Sequence, residues 1–77
     1  MELTVISPGG VVLHEKADKV TMPGVAGSFT VLPMHAPIIA ALGAGKVRYG
    51  MGYAEKEYEI SGGIVEVDHD RVRILVK

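Results

Sequence analysis

Several groups of residues have types suited to chemistry, and each falls short of the arrangement that chemistry needs. Gly43-Ala44-Gly45-Lys46 has the glycine and lysine of a phosphate-binding loop. Such a loop needs a glycine five positions before the Gly-Lys pair and a Ser or Thr after it, to ligate magnesium. Ala40 and Val47 stand there, and no helix follows to present its amino terminus to phosphate. The segment is a turn between strands, and no nucleotide is expected.

The histidines, His14, His35 and His69, are far apart, and none has a partner at metal-ligand spacing. Asp68-His69-Asp70 sets a histidine between two acids, but neighbours on a strand point to opposite faces and do not converge on one ion. A solvated turn is the expectation, with no metal site. His35 lies in Pro33-Met34-His35-Ala36-Pro37, where an imidazole either satisfies nearby backbone groups or faces a partner. Both readings stay open. Ser61 precedes Gly62-Gly63, but Glu59 stands where a nucleophile elbow has its first glycine. Glu55, Glu57 and Glu59 alternate along one strand as a solvated face does, with no apolar surroundings to raise a carboxyl pKa. No catalytic residue and no cofactor follow from these groups. Ala17-Asp18-Lys19-Val20 resembles the Asp-Lys hairpin tip of lipoyl or biotinyl carrier domains, which are also small β-sandwiches. Lys19 comes early for that role, and its surroundings suggest a strand interior rather than a tip.

The elements that position these residues are short. Glycine (10) and proline (4) interrupt the 77 residues too often for long helices. Between the breaks, apolar residues alternate with the period of two of half-buried strands: Leu3 and Val5, Val20 and Met22, Phe29 and Val31, Val47 and Tyr49, Tyr58 and Ile60, Val65 and Val67, then Val72, Ile74 and Val76. Pro8-Gly9-Gly10, Pro23-Gly24, Gly50-Met51-Gly52, Ser61-Gly62-Gly63 and Asp68-His69-Asp70 supply the turns. Ala36 to Leu42 fits a helical turn or a strand equally. The fold class is all-β: one domain over residues 1–77, a small sandwich of eight to ten short, mainly antiparallel strands.

Composition narrows the partners. A net charge of −1 and no run of basic residues argue against nucleic acid, which needs a basic face. Without cysteine there is no disulfide framework. The amino terminus lacks signal-peptide features, and no apolar stretch approaches the ~20 residues that cross a bilayer as a helix. Any work at a membrane is expected to be through other proteins, with no direct insertion.

One stretch carries a resemblance. Gly27-Ser28-Phe29-Thr30-Val31-Leu32-Pro33-Met34-His35-Ala36-Pro37-Ile38-Ile39 resembles the Gly-x-hydrophobic-x-hydrophobic-x-Pro-x-His-Ala-Pro signature of F-type ATP synthase epsilon subunits. Leu42, Gly45, Val47 and Arg48 continue it. Ile60-Ser61-Gly62-Gly63-Ile64-Val65-Glu66-Val67 is similar to the family's second signature, and Val72 to Val76 to its closing strand. The resemblance implies a non-catalytic subunit of the central rotor, peripheral on the cytoplasmic side of a bacterial cell membrane, which links the gamma subunit to the c-ring. It places Val25, Ala26, Gly27, Ser28, Phe29 and Thr30 at the c-ring, and His35, Ile38 and Ala40 near gamma. Ser28 departs from the acidic residue of many relatives, and Met34 from their glycine or asparagine. Many relatives continue into two inhibitory carboxy-terminal helices; with nothing after Lys77, this chain is expected to be a short form without that inhibition.

Overall fold

The alternating segments become nine strands in a computed structural model that describes residues 1–77. They are β1 (Glu2–Ser7), β2 (Gly10–Lys16), β3 (Lys19–Gly24), β4 (Gly27–Val31), β5 (His35–Leu42), β6 (Gly45–Met51), β7 (Ala54–Ile60), β8 (Gly63–His69) and β9 (Arg71–Val76). Hydrogen bonding runs β2-β1-β9-β8-β5-β3-β6-β7, with β4 added to β3. The β3–β5 link is a single pair, Gly24↔Leu42. At that link the sheet folds into two layers, β2-β1-β9-β8-β5 and β4-β3-β6-β7. Only β1 and β9 pair in parallel; every other pair is antiparallel. The expected sandwich is the observed one.

Register explains the core. Leu3 and Val5 stand opposite Val72 and Ile74, which stand opposite Val67 and Val65. The facing layer offers Val20 beside Val31 and Tyr49, with Met22 beside Phe29. These residues are buried or packed on the buried cluster, and no buried polar side chain lacks a partner. Fully burying each such aliphatic side chain is worth about 1.5–3 kcal/mol.

One local expectation changes, and one open reading is settled. Pro23-Gly24 does not end its strand: both pair with β4, and the turn is Val25-Ala26. Pro23 is tolerated because β3–β6 pairing stops at Thr21↔Arg48, so the missing N–H interrupts no ladder on that side. Gly27 has a positive φ (131°), but Gly24 does not. Gly24 answers to space instead, since a Cβ there would lie 2.6 Å from the Gly27 carbonyl oxygen. Finally, Ala36–Leu42 is strand, with a register shift between His35 and Ile38 that accommodates Pro37.

One polar cluster joins the layers along their open side. Glu15, on the edge strand β2, accepts a bond from the Tyr49 hydroxyl of β6 (3.1 Å) and another from the Lys56 ammonium of β7 (2.8 Å). The Lys56 bond holds the Glu15 carboxyl below its ordinary 4.5, aided by Tyr49 and opposed by partial desolvation. The same bond raises Lys56, while burial and then Glu15 raise Tyr49.

The depressed carboxyl sets the sign of a pH effect. Its stabilisation is fully present above 4.5 and disappears as pH falls through the lower folded-state value. Glu15→Gln should therefore lower the urea midpoint at neutral pH, and the gap to the parent should close on acidification below about pH 4.5. Urea titrations of both chains between pH 7 and pH 2 check this.

Candidate functional site

The two outer faces of the sandwich differ. On β4-β3-β6-β7 the outward residues are polar: the Thr21 and Thr30 hydroxyls lie 2.8 Å apart, and Glu57 takes Arg48 at 3.1 Å and Lys46 at 3.5 Å. No large apolar side chain is exposed on that face. On β2-β1-β9-β8-β5, register lines up Val11, Ile6, Leu75, Ile64 and Ala41 in one row across all five strands. At about 4.8 Å between strands the row spans roughly 19 Å.

This row is open to solvent. Ile64 is 50% exposed and Leu75 44%. Beside it runs a second row, His14, Thr4, Arg73, Glu66 and Ile39. Ile39 is 74% exposed, and Arg73 bonds Glu66 at 2.6 Å. An open groove of about 690 Å³ crosses this region, lined among others by Pro37, Ile39, Glu66, Arg71 and Arg73. Apolar groups at one end and paired charges at the other suit a protein surface. Both carboxylates of the lining are engaged, Glu66 by Arg73 and Asp68 by His69.

The residues singled out from sequence fall in distinct places. Val25 and Ala26 form the β3–β4 turn, exposed with Gly27 and Ser28. Phe29 turns inward onto the core, and Thr30 bonds Thr21. Ile38 and Ala40 also pack against the core, so their neighbours Ile39 and Ala41 face outward. His35 sits half-buried where β5 begins. It stands opposite His69 across the β5–β8 pair, although the sequence shows no histidine pair. Lys19 opens β3 opposite Gly50, where the chain crosses between layers, so it occupies no hairpin tip. Gly43-Ala44 is a short connection tied to β3 by a bond from the Gly43 N–H to the Pro23 carbonyl (2.8 Å). Glu55, Glu57 and Glu59 are exposed.

Sequence reasoning missed the outer apolar row. Its signal was present: Leu75, Ile64 and Ile39 are apolar at positions where alternation calls for polar residues. If the row serves a partner rather than the fold, replacing Ile64 or Leu75 by Thr should change stability by no more than about 0.5 kcal/mol. Val65→Ala, one position along on the inward face, should cost about 1–3 kcal/mol. Chemical denaturation of the three variants separates the two faces.

Comparisons with known proteins agree with this architecture. The family described as "ATP synthase, Delta/Epsilon chain, beta-sandwich domain" matches residues 1–77. An ATP synthase epsilon chain of Desulfitobacterium hafniense (strain DSM 10664 / DCB-2) is 42% identical over 73 residues, 95% of this chain and 55% of the relative. That of Nitratidesulfovibrio vulgaris (strain DSM 19637 / Miyazaki F) is 36% identical over 77 residues, 100% of this chain and 58% of the relative. The chain thus spans little more than half the length of the curated relatives it matches. Among solved structures, a chain of the Euglena gracilis mitochondrial ATP synthase OSCP/F1/c-ring assembly superposes with a TM-score of 0.87 at 26% identity, over 96% of this chain and 48% of that one. A chain from the Tetrahymena thermophila mitochondrial ATP synthase central stalk and c-ring gives 0.79 at 19% identity, over 99% and 62%, and shows the fold alone. With its full length matched and its two-layer topology shared, the chain belongs to the ATP synthase delta/epsilon family as a β-sandwich domain.

Proposed function

We propose that this chain is a non-catalytic element of the central rotor of an F-type ATP synthase, joining the gamma subunit to the c-ring. The observation that carries this reading is the apolar row Val11, Ile6, Leu75, Ile64 and Ala41, exposed on one face of a domain of this family. Gamma docks on that face. Ile39 and Ala41 make the β5 contacts, Ile38 and Ala40 hold the strand against the core beneath them, and His35 lies at the rim. The β3–β4 hairpin meets the polar loops of the c-ring through Val25, Ala26, Gly27 and Ser28, with Phe29 anchoring its base and Thr30 tying it to β3.

A sandwich held at two surfaces makes ring and shaft turn together, which is all the chemistry the role requires. No helix is long and apolar enough to cross a membrane. Attachment, on the cytoplasmic side of a bacterial cell membrane, is through the partners. Nucleotide takes no part, because Gly43-Ala44-Gly45-Lys46 leads into a strand.

Calorimetry with purified gamma subunit tests the docking. The expected result is saturable one-to-one binding, weakened at least tenfold (about 1.4 kcal/mol) by Ile64→Glu combined with Leu75→Glu. A folded chain that does not bind, or binds equally well with both substitutions, overturns the assignment of this face. The 77 residues contain strands and no helix. Added alone to a reconstituted complex, they are expected to leave ATP hydrolysis uninhibited, as a steady-state assay would show.

A further inference from the structure

The β5–β8 register sets His35 opposite His69. Cross-strand partners in a regular ladder have Cβ atoms about 4.5–5.5 Å apart, and here the register shift beside His35 and the left-handed φ of His69 set the directions of the two rings. His35 Nδ1 lies 2.7 Å from the Ala36 carbonyl oxygen, and His69 Nδ1 lies 2.8 Å from Asp68 Oδ1. A carbonyl and a carboxylate only accept, so both Nδ1 atoms carry the proton, and in each neutral ring the lone pair resides on Nε2. Metal-binding histidines are held in this way: the second ring N–H is donated to a carbonyl or carboxylate, which fixes the ring and raises its basicity. The third histidine differs, since His14 spends Nε2 on Glu2 Oε1 at 3.3 Å.

We propose that His35 and His69 form a two-imidazole site for a divalent transition-metal cation such as zinc, bound through both Nε2 atoms. No cluster of three His, Cys, Asp or Glu side chains is arranged to hold a metal, so water completes the coordination shell. Imidazole nitrogen selects zinc, nickel or copper over magnesium and calcium. Both histidines lie at points where the backbone departs from regular strand: His35 borders the β5 register shift, and His69 has φ 52° at the β8–β9 turn. Bulges and turns re-aim side chains in this manner, and a bound ion would clamp the β4–β5 connection to the β8–β9 hairpin. The site stands independently of the rotor reading.

Zinc chloride titrated into the 77-residue chain, followed by calorimetry and by imidazole NMR shifts, tests the site. One equivalent should bind and raise Tm. His35→Gln and His69→Asn (asparagine tolerates the left-handed turn) should each weaken binding at least tenfold. Asp68→Asn should weaken it about tenfold, as loss of an orienting partner does. His14→Gln should change affinity less than twofold, and magnesium should give no comparable heat. The proposal is overturned if folded parent chain binds no zinc, if binding survives both His35→Gln and His69→Asn, or if His14→Gln abolishes it.

Discussion

Everything in this molecule depends on burying one face, and only one, of each strand between two layers. The period of two leaves no freedom: once Leu3, Val5, Val72 and Ile74 are committed inward, Thr4, Ile6, Arg73 and Leu75 must face out. A slip of one residue would expose the core row and bury Arg73, an uncompensated charge costing several kcal/mol. The register of β1, β9, β8 and β5 is therefore fixed by packing, and it sets the composition of the outer face as a by-product of the core. That face can be partly apolar without ambiguity because its neighbours, Thr4, Arg73 and Glu66, are too polar to compete for the interior.

Two of the free edges are handled by charge. β7 presents Glu55, Lys56, Glu57 and Glu59 along an outermost strand, and β2 presents His14, Glu15 and Lys16. Charged edges resist pairing with another chain, so strand addition at β7 and β2 is disfavoured. Glu15 does more than blunt an edge, since its bonds to Tyr49 and Lys56 cross from one layer to the other. Edge protection and closure of the open side thus share one carboxylate. Sticky surface remains mainly on the β2-β1-β9-β8-β5 face and at the turns.

Much of this fold was legible because alternation is a local signal. Val72-Arg73-Ile74 can be assigned without knowing which strands lie beside it, and the Gly-rich breaks mark most of the turns. What could not be read locally depends on pairing partners. Gly24 resembles a strand end until β4 folds back and its carbonyl fills the space a side chain would need. Ala36–Leu42 is ambiguous because Pro37 suits a bulge as well as a helix start, and only pairing with β8 decides between them. At the candidate site the same cause acts. His35 and His69 are unrelated along the chain and become neighbours only through the β5–β8 register. Ile38 and Ile39 are indistinguishable by type; the first belongs to the core and the second to solvent because β8 sets the phase.

The two proposed contact surfaces are not independent parts of the domain. The Val25 N–H, in the β3–β4 turn, donates to the carbonyl of Ala41 at 3.1 Å, and the Gly43 N–H donates to the Pro23 carbonyl at 2.8 Å. Ala41 is also the β5 end of the outer apolar row, opposite Ile64. The hairpin tip and the apolar face therefore share a backbone junction, the same place where Gly24↔Leu42 joins the layers. Side-chain contacts yield by rotamer changes, but a hydrogen-bonded backbone crossing yields only by breaking bonds that water replaces at the cost of exposing core. A load applied at the Val25-Ala26 turn is carried directly into β5 and the row beside it, with no flexible linker between. That continuity is what the proposed coupling between two larger bodies requires, and it comes from backbone geometry rather than from any specialised side chain.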